Sequence, residues 1–339
     1  MKLKDDKIID VSSGVNPLGP SGRVKSAIRK AIKKINNGSC VKTEGLERFF
    51  ESRFRLLPEN MLFANSLKEL VYLIPHVLNP GRVLIVGPAL DMYQDAALSA
   101  GSEVLFMNAR EEEEFSFDVS RIQKNIENVD LVFLANPNRI TGRTISWEAI
   151  REAISALPAA RPHFVIDESM IEFAGSDVSL HDMITDGGIT LLRTTAFFYG
   201  MPGLELGCAV SSPEVIDSYK KRKHWEINLL SAEAARTAYK DLTYRKASLQ
   251  YLQREKNMIV RMLKKIKWLR AYDTDTNIIL VKIAKDADEV TQKLRRAGFA
   301  IKDCGDLSGL DRSFFGISVM KHEKNLKFIA ALNRLYQNV

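Results

Sequence analysis

Two polar side chains well placed for chemistry lie at the ends of apolar runs. Asn136 follows Asp130-Leu-Val-Phe-Leu-Ala135, and Asp167 closes His163-Phe-Val-Ile-Asp167. If these runs are strands of a parallel sheet, both side chains emerge at carboxyl ends, where ligands bind on such sheets, and the loop 194–199 joins them there. A plainer role is open to each: Asp167 can cap the turn that follows it, and Asn136-Pro137 can simply end a strand. A third point of interest is Ala64-Asn-Ser-Leu-Lys-Glu-Leu70, where Ser66 and Glu69 have capping-box spacing. That spacing predicts a helix N-terminus with free N–H groups, a place that favours anions. Other chemistries find no support. The five histidines are scattered, no H-E-x-x-H or C-x-x-C occurs, and no nucleophile elbow accompanies Ser, His and Asp.

The elements that must position these residues follow from the apolar pattern. Runs at 82–86, 104–107, 130–135, 163–167 and 189–193 are short and continuous, as expected of strands buried on both faces of a mainly parallel sheet. Amphipathic stretches at 91–100, 119–126 and 147–156 lie between them. Strands alternating with helices predict βαβ units and a doubly wound α/β lobe. From about Ser212 the pattern changes to one long helical region through Lys264. A strand at 277–283, a helix at 288–297, a strand at 315–320 and a helix at 323–336 then predict a smaller α+β lobe. The expected organisation is a segment 1–35 packing with the small lobe, a large domain 36–215, and a long helix with the small domain over 216–339.

Composition narrows the class. Hydrophobic residues make up 45% of the 339, and mean hydropathy is −0.13, which predicts a soluble globular protein with a large core. The charged N-terminus predicts no secretory signal, and no window reaches the apolar length of a membrane helix. Cys40, Cys208 and Cys304 lack metal-type spacing and fit free thiols in a reducing cytosol, so a cytoplasmic protein without a metal is expected. The net charge of +7 raises the question of nucleic acid. The densest basic run, Lys220-Lys-Arg-Lys-His224, reads as a solvated helix face, and the acidic run 111–114 reads as surface too. Neither a nucleic-acid nor a membrane partner is expected.

The motifs carry a resemblance over nearly the whole chain. Leu191-Leu-Arg-Thr-Thr-Ala-Phe-Phe-Tyr-Gly-Met-Pro-Gly-Leu-Glu-Leu-Gly207 resembles the lysine-bearing loop of pyridoxal-phosphate-dependent aminotransferases, roughly L-R-T-L-S-K-A-F-G-L-A-G-L-R-L-G. Asp10-Val-Ser-Ser-Gly-Val-Asn-Pro-Leu-Gly-Pro20 resembles the opening of threonine-phosphate decarboxylases, relatives of histidinol-phosphate aminotransferase. Leu134-Ala-Asn-Pro-Asn-Arg-Ile-Thr-Gly142 resembles N-P-N-N-P-T-G, and Val165-Ile-Asp-Glu-Ser-Met-Ile-Glu-Phe173 resembles V-D-E-A-Y-x-E-F. Gly298-Phe-Ala-Ile-Lys-Asp-Cys304 and Gly309-Leu-Asp-Arg312 resemble decarboxylase-like G-I-x-V-R-D-C and G-L-x-x-R.

The resemblance implies the aspartate-aminotransferase-like fold type I and assigns roles. Asp167 falls under the pyridine nitrogen of the cofactor, Asn136 beside its ring oxygen, and Tyr93 at the aromatic that stacks on the ring. Ser66, Leu67, Lys68 and Thr194 fall around the phosphate, and Asn16 near the substrate. The departures are more numerous. The Schiff-base lysine falls on Phe197, whose phenyl ring cannot form an imine. The phosphate-binding arginine falls on Glu205, and the serine before the lysine on Ala196. The tyrosine at the ring oxygen is Met170, the carboxylate-binding arginine falls on Gly316, and a second arginine often found four residues on falls on Met320. No tyrosine occurs between Asn36 and Gly45, where the family sends one to the neighbouring subunit. Lys68 either points into solvent or pairs with Glu205 across the phosphate cup. The expectation is therefore a catalytically degenerate relative that serves as a binding or partner subunit. It would form a homodimer, or a heterodimer with an active paralogue, with pyridoxal phosphate absent or non-covalent and a small-molecule ligand possible. The alternative is a working enzyme that binds pyridoxal phosphate and acts without the lysine.

Overall fold

A computed structural model describes residues 8–36, 41, 43–158, 162–175, 179, 181–186, 188–284 and 287–335. The chain begins with strand β1 (Ile9–Asp10), helix α1 (Gly22–Ile32) and helix α2 (Glu44–Phe54). The large lobe then runs β2 (Met61–Ala64), α3 (Leu67–Leu78), β3 (Arg82–Gly87), α4 (Asp91–Ser99) and β4 (Glu103–Asn108). It continues with α5 (Ser120–Gln123), β5 (Leu131–Ala135), α6 (Trp147–Ser155), β6 (His163–Asp167), β7 (Ile189–Thr194) and β8 (Gly207–Val210). Helices α7 (Pro213–Arg222), α8 (Leu229–Lys240) and α9 (Leu242–Leu263) follow. The small lobe holds β9 (Leu269–Ala271), β10 (Ile278–Ile283), α10 (Ala287–Arg296), β11 (Phe299–Ala300), β12 (Lys302–Asp303), β13 (Phe314–Ser318) and α11 (His322–Leu335).

The five apolar runs become five neighbouring strands of a seven-stranded sheet, ordered β2-β8-β7-β6-β5-β3-β4. β7, β6, β5, β3 and β4 pair in parallel, while β8 runs antiparallel to both β7 and β2. The alternation of side chains across the sheet divides the core into two layers. Val83, Ile85, Phe133 and Val165 enter one, and Leu84, Val132, Leu134 and Ile166 the other. Burial on both faces is why these strands carry no polar alternation. Asn136 and the loop after Thr194 leave the sheet at its carboxyl edge beside Asp167.

The small lobe is an antiparallel sheet, β12-β13-β10-β9. The N-terminal segment is tied to it, with β1 parallel to β11 and the Ser318 N–H donating to Val11 O at 2.6 Å. α1 meanwhile packs on α8.

Three local readings need correction. The single helical region 212–264 is three helices. The chain leaves α7 in extended conformation at Lys223, and Trp225 then donates to Phe63 O. It turns again at Asp241, whose carboxylate caps α9 at the Tyr244 N–H. The stretch 119–126 gives only one helical turn, and Asn128 turns left-handed after it. The acidic run is not idle surface. Glu111 accepts from Lys282 Nζ and Tyr272 Oη, both at 2.6 Å, and Glu114 pairs with Arg270, so the run clasps the small lobe to the large one.

Candidate functional site

Ser66 caps α3 as its spacing predicts, with the return bond from Glu69 landing one residue before the cap. Ser66 Oγ accepts the Glu69 N–H at 3.1 Å, and the Glu69 carboxylate reaches back to the Asn65 N–H at 2.8 Å. Pairing of Gly207 with both Ala64 and Thr194 sets this helix end beside β7 and β8. A Cβ at Gly207 would come within 2.7 Å of Ser66 O, so only glycine allows the approach. Into that corner comes half-buried Glu205. Its Oε1 accepts the Leu67 N–H at 2.9 Å and the Thr194 hydroxyl at 2.6 Å. A carboxylate at a helix N-terminus gains from both charge-assisted bonds and the helix dipole. Lys68 takes no part. It is exposed, with Nζ 5.4 Å from the Tyr72 ring centroid, so of the two alternatives read from the sequence the solvent-facing one holds and the Lys68–Glu205 pair does not form.

At the neighbouring strand ends the polar side chains are committed to one another. Asp167 is buried; its Oδ1 accepts the Ser169 N–H at 2.7 Å, which is the turn cap read from the sequence. Its Oδ2 accepts the Tyr93 hydroxyl at 2.5 Å. Tyr93 is itself fully buried against Phe133, with ring centroids 5.2 Å apart, so its phenol serves as a partner for Asp167. Burial and the Asp167 charge push the Tyr93 hydroxyl well above its ordinary range, against the opposing charge of Arg139. Asn136 spends its amide on one neighbour: Oδ1 accepts the Ile145 N–H at 2.8 Å and Nδ2 donates to Ile145 O at 3.0 Å.

Phe197 lies across from these groups, partly buried, with the Arg139 guanidinium 4.2 Å from its ring centroid. Such a cation–π contact is worth about 0.5–2 kcal/mol. The loop is pinned from the N-terminal segment. The Asn16 N–H donates to Phe197 O at 2.9 Å, and Asn16 Nδ2 to Phe198 O at 2.9 Å and Tyr244 Oη at 3.0 Å. Asn16 Oδ1 accepts the Leu18 N–H, so this buried amide is a fastener of the loop. Gly200, at φ +67, lies against Gly19, where an added Cβ would stand 2.7 Å from the Gly19 Cα. Ala196 and Met170 are buried, and Gly316 sits in β13 with ordinary clearance to Lys302 and Cys304.

Behind this loop lies a charged cluster that sequence reading did not single out. Glu168 Oε2 accepts from Arg193 Nε at 2.9 Å and Nη2 at 2.8 Å, and Ser179 donates to the same carboxylate. Burial works to lower the Arg193 pKa, but Glu168 and Glu172 outweigh it and raise it. Glu172 is the strained member: burial pushes its carboxyl up to about 7, despite Arg193 and Arg245 nearby. With Arg53, Arg193, Tyr199, Tyr239 and Arg245 it lines a cavity of about 30 Å³, large enough for water. The buried thiols of Cys208 and Cys304 are pushed up to about 12 by burial, which makes them unreactive. Cys40 lies outside the described residues. Among the described residues no group of His, Cys, Asp and Glu could hold a metal, and no helix is long and apolar enough to cross a membrane.

Of the residues singled out in sequence, Leu67 and Thr194 converge on Glu205, Ser66 caps α3 through the Glu69 N–H, and Tyr93 converges on Asp167. Asn136 is turned to backbone, Asn16 to backbone and the Tyr244 hydroxyl, and Lys68 faces away. Arg139 was missed. Its signal was present in Asn136-Pro-Asn-Arg139, where the resembled motif has a third asparagine.

Comparison with known proteins places this arrangement in context. The chain is 30% identical to histidinol-phosphate aminotransferase 2 of Archaeoglobus fulgidus, over 98% of this chain and 94% of that one. It is 23% identical to threonine-phosphate decarboxylase of Salmonella typhimurium, over 99% and 93%. The crystal structure of the histidinol-phosphate aminotransferase from Clostridium acetobutylicum superposes with a TM-score of 0.90 at 26% identity, covering 98% of this chain and all of that one. The two-lobe architecture is therefore the fold type I aminotransferase fold. The profile of aminotransferase class I and II matches residues 6–332, and the chain belongs to that family.

Proposed function

We propose that this chain is a catalytically silent member of its family, acting as a binding or partner subunit. Members of the family bind pyridoxal phosphate. The side chains present here do not fit that group. The Leu67 N–H and Thr194 hydroxyl, placed to receive a phosphate, are bonded to a carboxylate of the same sign as the phosphate. The Asp167 oxygen that would face the cofactor ring is bonded to Tyr93. The observation that carries the reading is Phe197 with Arg139 stacked on it, at the position where the motif resemblance sets the lysine. Transamination needs the lysine both as imine donor and as base, and a phenyl ring supplies neither.

The partner role rests on the family's expected dimer, and we favour self-pairing over a heterodimer with an active paralogue. Apolar side chains at the end of α1 support a partner surface there: Ile32 is 48% and Ile35 63% exposed. The segment 37–40, near the place of the family's trans-acting tyrosine, lies outside the described residues. The test is a turnover assay with added pyridoxal phosphate and either threonine phosphate alone or histidinol phosphate together with a 2-oxo acid as amino-group acceptor. No product above the enzyme-free control is expected, and steady turnover of either substrate refutes the reading.

A further inference from the structure

We infer that Glu205 is a built-in anion that replaces an external one at the N-terminus of α3, so that the chain closes this corner of the fold with its own carboxylate. The inference deepens the functional reading above and rests on it. Three observations converge. The first is the pair of donors: the Leu67 N–H and the Thr194 hydroxyl belong to different elements, α3 and β7, and both end on the same oxygen of Glu205. The second is the fit of the backbone. Gly207 lets β8 approach Ser66 so closely that the side chain two residues earlier reaches the helix end. The third is charge: the carboxylate is half-buried at the positive end of a 12-residue helix, where a negative group is favoured.

A compensating change stands at the other end of the site. Arg139 places a planar cation against Phe197, close enough for its charge to act on the Tyr93 hydroxyl held by Asp167. The site thus carries an anion at α3 and a cation against Phe197, both supplied by the chain. Such a site is complete when empty. It needs no small molecule to hold α3, β7 and β8 together, and it is closed to a phosphate by occupation as well as by repulsion.

The experiment is chemical rescue followed by thermal melting at pH 7 and fixed ionic strength, comparing sodium chloride with sodium formate. Glu205→Ala removes the carboxylate and leaves the Leu67 and Thr194 donors facing a gap that formate can fill. The variant is expected to melt about 3–5 °C below wild type in chloride and to recover at least half of that in formate. Wild type should melt at the same temperature in both salts. Adding Thr194→Val to Glu205→Ala should abolish the recovery. If Glu205→Ala does not fold, Glu205→Gln, which keeps an acceptor for Leu67 without the charge, decides the matter. It should melt below wild type and show no formate response. Equal responses of wild type and Glu205→Ala to formate overturn the inference, as does an unchanged melting temperature in either Glu205 variant. Absent rescue together with absent turnover overturns this inference alone. Rescue together with turnover by the wild-type chain overturns the functional reading alone.

Discussion

Replacing Glu172 by glutamine should make the protein more stable at pH 8 while changing little at pH 5. Glu172 is 6% exposed beside Arg193, and burial lifts its carboxyl from 4.5 to about 7. The folded chain therefore keeps the proton through a range in which the unfolded chain releases it. Stability contributed by this group is fully present below pH 4.5 and is lost as pH rises toward 7. At about 1.4 kcal/mol per pH unit, the interval between the two values amounts to about 3 kcal/mol once both are passed. Glutamine mimics the protonated form and carries no such dependence. Urea denaturation of both proteins at pH 5, 6, 7 and 8 reads the difference directly. The gap in unfolding free energy should move by about 2–3 kcal/mol in favour of Glu172→Gln between pH 5 and pH 8. A gap that stays constant with pH, or moves in favour of wild type, refutes the claim that Glu172 is held neutral by burial.

Other substitutions probe the site itself. Phe197→Lys alone should yield no transamination, because Glu205, Ala196, Met170 and Gly316 remain; appreciable turnover from the single change would contradict the account of the site. The same replacement combined with Glu205→Arg, Ala196→Ser and Gly316→Arg asks whether the scaffold keeps its relatives' geometry, and Gly316 has the clearance for a Cβ. Tyr93→Phe strands a buried oxygen of Asp167 and should cost about 1.5–3 kcal/mol in urea denaturation; a loss below about 0.5 kcal/mol would mean that the Tyr93–Asp167 bond contributes little. Light scattering should give twice the 38.2 kDa chain mass, and a monomer at micromolar concentration would remove the homodimer proposal.

The strands of the large lobe were legible because burial on both faces writes itself as an unbroken apolar run, as in Val83 to Val86. β2 and β8 were not. Each has four residues, and β8 opens on a glycine, which weakens any strand signal. The break between α7 and α8 was invisible for another reason: it is set by contacts with distant residues, Trp225 with Phe63 and Asn228 with Asn65, whereas the Asp241 cap three residues before Tyr244 was a local signal left unread. The site shows the same division. Positions such as Ser66, Asp167 and Phe197 could be named from motifs, but their partners could not. Glu205 meets Leu67 across 138 residues, and nothing local distinguishes that bond from an ion pair with Lys68 one position on. Arg139 was legible as a departure from its motif, yet its stacking on Phe197 required the fold.

The central claim is that this family member does not take up pyridoxal phosphate through a lysine. The most direct test titrates the purified protein with pyridoxal phosphate, follows absorption in the visible range, and then reduces the mixture with borohydride before peptide mapping. A colourless protein with no visible band that persists after gel filtration, and no reduced adduct on any lysine of the site, is the predicted result. A stable yellow band that borohydride fixes to one lysine would contradict the account.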